Sequence, residues 1–228
     1  MTGKMIQIAI DGPAASGKST AARMLAERLG GYYVNTGDMY RTVAWAALQA
    51  GIDPEADPAA VVAKLPGWDL RLRAEGGALQ LVLNDALVPK AAIRAPEVAA
   101  VVSQVARIPE VRAWMLSRQR DCRHLGIIIM EGRDIGTVVL PDATCKFFIT
   151  ASPEERARRR LRQAGEVAPG ATLASVASEI AERDRIDSTR AVAPLKPAAD
   201  AEIVVTDGLG PDPVADLLVA AIKRKTGL

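Results

Sequence analysis

Residues Gly12-Pro13-Ala14-Ala15-Ser16-Gly17-Lys18-Ser19 match the pattern G-x-x-x-x-G-K-[ST] in full. Such a loop works only when a buried strand delivers the chain to it and a helix carries the chain away with its positive end facing an anion. Both flanks are legible. Residues 6–10 are a short β-rich apolar run ending in Asp-Gly-Pro, and 19–29 show helical spacing, with Ala22, Leu25, Ala26 and Leu29 on one face. Glycines let the backbone amides turn inward around phosphates, Lys18 can reach the β and γ oxygens, and Ser19 can hold magnesium. Gly12, Pro13, Ala14, Ala15, Ser16, Gly17, Lys18, Ser19 and Thr20 are therefore the expected ATP-binding segment, with Lys18 aimed at the transferred group.

Further short apolar runs at 32–34, 127–130, 146–149 and 203–205 alternate with helical sequence. That rhythm predicts a five-stranded parallel sheet flanked by helices, an α/β fold of the P-loop NTPase type. One stretch departs from it. Leu70-Arg71-Leu72-Arg73 and Leu79-Gln80-Leu81-Val82-Leu83 alternate with period two around Glu75-Gly76-Gly77, the signature of an antiparallel hairpin. The expected organisation is a core of residues 1–62 and 96–228, a small β insert at 63–95, and a short lid at about 155–170 within the core.

The 228 residues are 49% hydrophobic and 25% charged, enough to bury a core, which excludes a disordered chain. Lys and Arg number 29 against 27 Asp and Glu, too even a balance for a protein living on nucleic-acid phosphate. Within that balance stand 21 Arg and only 8 Lys, a ratio that suits phosphate binding because the guanidinium fork matches phosphate oxygens; high-GC codon usage would produce it equally. Cys122, Cys145 and the single His124 provide neither a disulfide framework nor a zinc ligand set. No run is long enough for a membrane span and no signal peptide is evident. A cytoplasmic monomer without nucleic-acid or membrane partners is expected.

Three further motifs narrow the class. Asn35-Thr36-Gly37-Asp38-Met39-Tyr40-Arg41 follows the second strand, and Glu131-Gly132-Arg133-Asp134-Ile135-Gly136-Thr137 follows the third. Glu182-Arg183-Asp184-Arg185-Ile186-Asp187-Ser188-Thr189-Arg190 lies late in the chain. Bringing two polyanionic substrates together in line demands several fixed cations and exclusion of water. Arg41 and Arg133 are expected just past strands, at the carboxyl edge where parallel sheets bind ligands. The i, i+4, i+7 spacing of Arg183, Asp187 and Arg190 places them on one helical face. Ser152-Pro153-Glu154-Glu155 reads as a helix start, and the helix it opens carries Arg156, Arg158, Arg159, Arg160 and Arg162. No aromatics interleave these arginines, which argues against single-stranded RNA.

In these motifs and their order, along essentially its whole length, the chain resembles bacterial cytidylate kinases, P-loop nucleoside monophosphate kinases that phosphorylate CMP and dCMP. The resemblance implies an activity, transfer of the γ-phosphoryl group of MgATP to CMP or dCMP. It also implies contacts: Arg41, Arg133 and Arg190 grip the acceptor phosphate, Arg183 and Asp187 its sugar, and Ser103, Arg112 and Asp134 its base, with Thr36 beside them. A carboxylate paired with a guanidinium mirrors the amine and acceptors of cytosine. The arginine run resembles the lid over the donor phosphates, with Arg159 taken as the contact. Lys18, Arg133 and Arg159 form the expected catalytic set, and Ser19, with Glu131 acting through water, holds Mg2+. Glu131 stands where many relatives carry Asp, and Thr36 where some carry Ser; both keep the functional group. The alternatives are a P-loop kinase for another nucleoside monophosphate or small metabolite, and a nucleotide-binding module without turnover. Asp11 has no role that its sequence context supports.

Overall fold

The computed structural model describes residues 5–163, 167 and 170–228. In chain order the elements are β1 (Ile6–Asp11), α1 (Lys18–Leu29), β2 (Tyr32–Asn35), α2 (Thr36–Gln49), α3 (Pro58–Lys64), β3 (Leu70–Glu75), β4 (Ala78–Leu83), β5 (Ala86–Leu87), α4 (Lys90–Ile93), α5 (Pro96–Val105) and α6 (Pro109–Arg120). They continue with β6 (Ile127–Gly132), a π-helical turn (Ile135–Val139), β7 (Cys145–Thr150), α7 (Pro153–Leu161), α8 (Leu173–Ser188), β8 (Glu202–Val205) and α9 (Pro211–Thr226).

Five strands make one sheet in the order β2-β6-β1-β7-β8, every neighbouring pair parallel. From β1 the chain runs through α1 to β2 on one side, whereas β6 leads to β7 on the other. The order thus reverses around β1, and crevices for ligands open at such a reversal, outside the carboxyl ends of the strands. Register sharpens this: Asp11 lies opposite Gly132 and Asn35 opposite Glu131, so the loops leaving β1, β2 and β6 emerge side by side.

Apolar side chains cover both faces, as a parallel sheet requires. On one face Val34, Met130 and Ile128 pack with Met39 and Val43 of α2, Val102 of α5 and Met115 of α6. On the other, Ile8, Ile10, Phe147 and Ile149 pack with Leu25 of α1 and Leu218 and Ile222 of α9. A small third cluster joins Ala14 of the P-loop to Ala157 of α7 and Val176 and Ile180 of α8.

The alternating stretch forms a three-stranded antiparallel sheet, one strand more than a hairpin. Gly76 and Gly77 take positive φ in the first turn, and Asn84 and Asp85 take φ of 49° and 64° in the second, the conformation of a two-residue hairpin turn. The paired stretch of β5 is so short that it carries no alternation of its own. Leu65 and Leu70 of this region are buried in the same apolar cluster as Val34 and Met130 of the main sheet. Part of the expected lid, 155–170, lies outside the described residues. Among the described residues, no helix is long and apolar enough to cross a membrane.

Candidate active site

The loop between β1 and α1 is shaped by sterics. At Gly12, φ is +148° and an added Cβ would lie 2.0 Å from the carbonyl oxygen of Ile149, so the strand-to-loop exit passes too close to β7 for any side chain. Gly17, with φ +92°, turns the chain into the first helical residue, Lys18. Ala15 is held in the left-handed region at φ 57° without a glycine's freedom. Lys18 is buried, its ammonium donating to the carbonyl of Pro13 (2.6 Å) and to Ser16 Oγ (3.3 Å). Burial, reinforced by the nearby Arg133 guanidinium, pulls its pKa down to about 7.

A cleft of about 260 Å³ opens over this loop, lined by Ala14 to Thr20, Asp38, Arg41 and Arg94, Glu131 and Arg133, and Arg160 and Arg183. The cations are crowded. Burial and the surrounding guanidinium groups lower Arg183 to about 9 and Arg160 to about 10, and Arg41 is lowered by burial and Arg94. A guanidinium does not give up its proton in a protein, so these depressions register first the cost of burying each charge and then mutual repulsion, both of which an incoming anion relieves. Asp187 organises the deep side of the group. It accepts from Arg133 Nε at 2.8 Å, and Arg190 Nη1 stands 3.7 Å away. Burial works against its ionisation, but Arg133, Arg183 and Arg190 together outweigh it and hold the carboxyl below its usual range.

Arg190 arrives there by a route the spacing did not foresee. Helix α8 ends at Ser188, so Arg190 lies beyond the cap and not on the face shared by Arg183 and Asp187. A turn returns it: Leu195 N–H donates to Asp187 O (2.8 Å) and Arg190 Nη2 to Ala193 O (2.9 Å). Arg41 also differs from expectation, sitting inside α2 and buried rather than on a loop end. Arg133 does follow β6 directly.

Behind the cations, Arg112 of α6 and Asp134 form a buried ion pair through Nη2 and Oδ2, each side chain 6% exposed. The Arg112 guanidinium also stands 5.6 Å from the ring centroid of Tyr40, another residue of α2. Ser103 is half-buried on α5 and does not line the cleft. Thr36 is buried, and its hydroxyl donates to the carbonyl of Glu131 (2.7 Å). Among the described residues, the Nε groups of Arg112, Arg183 and Arg190 are buried without a hydrogen-bond partner.

Asp11 has a clear place in the structure. Its two carboxylate oxygens accept from the N–H groups of Ile135 and Gly136, both at 2.8 Å, which pins the chain immediately after Arg133 and Asp134. Burial outweighs those two bonds and raises its pKa to about 6. Nothing local in the sequence announces a bond spanning from β1 to the π-helical turn.

Arg159 is held by the protein's own groups beside the P-loop. Its guanidinium lies behind the P-loop, donating to Ser16 O (3.2 Å), Thr206 Oγ1 (2.8 Å) and Thr206 O (2.6 Å), with Nε on Glu155 at 2.9 Å. Arg160, one residue on, is the arginine of this helix that lines the cleft. A helix turns about 100° per residue, so neighbours in a run of arginines set out in different directions. Arg94, which pairs with Asp38 at 2.7 Å, also lines the cleft and carries no motif that marks it.

A P-loop at the mouth of an arginine-walled cleft, on a parallel sheet with its strand order reversing around β1, defines a P-loop kinase of small phosphorylated acceptors. Comparison with known proteins makes this particular. The family model for cytidylate kinase matches residues 8–224, and the chain belongs to the cytidylate kinase family. It is 47% identical over 216 residues to the cytidylate kinase of Pelotomaculum thermopropionicum, covering 94% of this chain and 95% of that one. It is 44% identical to the cytidylate kinase of Shouchella clausii, covering 97% of both. It is also 45% identical to the bifunctional pantoate ligase/cytidylate kinase of Synechococcus elongatus, covering all of this chain but 44% of that longer protein.

Proposed function

We propose that this chain transfers the γ-phosphoryl group of MgATP to CMP or dCMP, yielding CDP or dCDP, with the P-loop as donor site. The carrying observation is the buried Arg112–Asp134 ion pair, each side chain 6% exposed. A desolvated guanidinium and carboxylate offer a donor set and an acceptor that complement the ring acceptors and exocyclic amine of cytosine. Uracil presents a carbonyl where cytosine has its amine, which would set acceptor against carboxylate.

In this reading Arg41, Arg133 and Arg190 hold the acceptor phosphate, and Arg183 and Asp187 the sugar. Lys18 and Arg160 neutralise charge on the transferred group, Arg160 taking the place first given to Arg159. The acceptor phosphate is already ionised, so no general base is needed; alignment and charge neutralisation lower the barrier. Oxygen donors suit magnesium, which keeps several waters and leans on phosphates plus one or two protein groups. Ser19 and Glu131 both line the cleft, and Glu131 is steadied by a 2.6 Å bond from the Tyr33 hydroxyl. These two residues would hold the ion that accompanies ATP, and the ion would supply charge neutralisation there.

The test is ADP release by the purified protein with MgATP and, in turn, CMP, dCMP, UMP, AMP or no acceptor. Turnover with CMP and dCMP far above UMP and AMP is expected. Equal rates with and without CMP would overturn the proposal.

A further inference from the structure

Donor loop and acceptor helix meet at one peptide unit. The N–H of Ala14, in the P-loop, donates to Asp184 Oδ1 of α8 at 3.2 Å. The carbonyl of the same residue accepts from Arg156 Nη1 of α7 at 3.3 Å. Arg156 and Asp184 are themselves ion-paired through Nη1 and Oδ2, and Arg156 Nε donates to Ala151 O at 3.1 Å. The Ala14 side chain is buried against Ala157, Val176 and Ile180, from the same two helices. Neither Asp184 nor Arg156 is assigned a nucleotide contact in the reading given above.

We propose that Asp184 and Arg156 are positioning residues through which binding of the acceptor nucleotide and binding of the donor nucleotide are coupled. The proposal rests on the acceptor reading of α8. In that reading Arg183 and Asp187, on the same helix as Asp184, engage the acceptor, while Arg156 grips the P-loop peptide of the donor site and Arg160, on the same helix as Arg156, lines the cleft. The loop is held in a costly shape, with Ala15 at φ 57°, so its geometry depends on what grips its neighbour. Drawing the acceptor against Arg183 and Asp187 fixes α8, and α8 fixes the Ala14 peptide by its amide directly and by its carbonyl through Arg156. A donor arriving second finds a loop already ordered, which raises its affinity. Linkage makes the effect reciprocal.

The experiment measures the dissociation constant of Mg·AMP-PNP by calorimetry without and with saturating CMP, and that of CMP without and with AMP-PNP. In the wild type the ratio of the two constants should be about fivefold or more, equal in both directions. In Asp184→Asn the amide sets its NH2 group against Arg156, and the ratio should fall to within about twofold of one, while CMP alone binds within a few-fold of wild type. A changed net charge can shift each affinity without moving their ratio, so the ratio separates coupling from simple electrostatics or loss of stability. If Asp184→Asn does not fold, the neutral pair Asp184→Asn with Arg156→Gln carries the same expectation. A wild-type ratio of one, or an unchanged ratio in a folded variant, overturns the coupling and leaves the activity assignment standing. A wild-type protein that binds AMP-PNP but not CMP overturns the acceptor reading, and the coupling with it.

Discussion

In the proposed reading, the donor and acceptor sites are built on opposite plans. The donor site rests on one uninterrupted segment, Gly12 to Thr20, with its backbone amides and Lys18, and borrows only Arg160 from elsewhere in the chain. The acceptor half gathers side chains from α2, α6, the loop after β6, α8 and the turn beyond it, and its chemistry is carried by guanidinium and carboxylate groups. A site made of backbone is fixed by glycine positions and strand geometry and is general for phosphate. A site made of distant side chains is selective, because each can be aimed, and fragile, because each must be aimed. Removing a donor-side group should therefore abolish transfer for every acceptor, whereas changing an acceptor-side group should alter which acceptor is used.

The largest effect expected is at Lys18. Lys18→Ala should lower turnover by about 10³-fold or more for CMP and dCMP alike, with cooperative unfolding retained. Steady-state kinetics at saturating substrates checks this, and retention of more than about a tenth of wild-type turnover would break the contrast.

Next comes the buried Arg112–Asp134 pair. Asp134→Asn should reduce kcat/KM for CMP and shrink the CMP to UMP ratio by about tenfold or more, since an amide can present donor or acceptor. Arg112→Ala should weaken both pyrimidines. A ratio unchanged in Asp134→Asn would mean that this carboxylate holds Arg112 and does not read the base.

A smaller pair of effects separates the two arginines of α7. Arg160→Ala should reduce turnover by about 10–100-fold with little change in thermal stability. Arg159→Ala should do the reverse, lowering unfolding free energy by about 1–3 kcal/mol through the lost bonds to Ser16 and Thr206 while turnover stays within a few-fold. The opposite outcome would return the donor contact to Arg159.

The smallest effect is a proton. With its pKa pulled to about 7 in the free protein, Lys18 is partly neutral above that pH, and phosphates brought against it restore the charge. ATP-analogue binding should therefore take up close to one proton at about pH 8 and almost none at about pH 6, and affinity should weaken with rising pH across that window. Calorimetry in buffers of different ionisation enthalpy reads the uptake directly; uptake that does not grow with pH would place Lys18's titration elsewhere.

What the sequence by itself determined is everything that rests on neighbours along the chain. Apolar runs at strand spacing located all five strands of the main sheet, because burial on both faces leaves the central strands β6, β1 and β7 continuous hydrophobic segments, and the edge strand β8 keeps an apolar run although Ile203 and Val205 are exposed. The P-loop was complete in one stretch, since a glycine needed beside Ile149 O and another entering α1 show directly as sequence. Resemblance of short motifs then marked residues such as Arg112, whose local context says nothing. Tertiary structure alone decided the rest. It turned Arg160 into the cleft and Arg159 onto Ser16 and Thr206, ended α8 before Arg190 and brought that arginine back through a turn, placed Arg41 within a helix, and set Asp11 to hold the π-helical turn. The reason is physical: local periodicity reports which face of an element is buried, but the direction of a charged side chain is settled by which distant partner compensates its desolvation, and that partner is known only once the chain has folded.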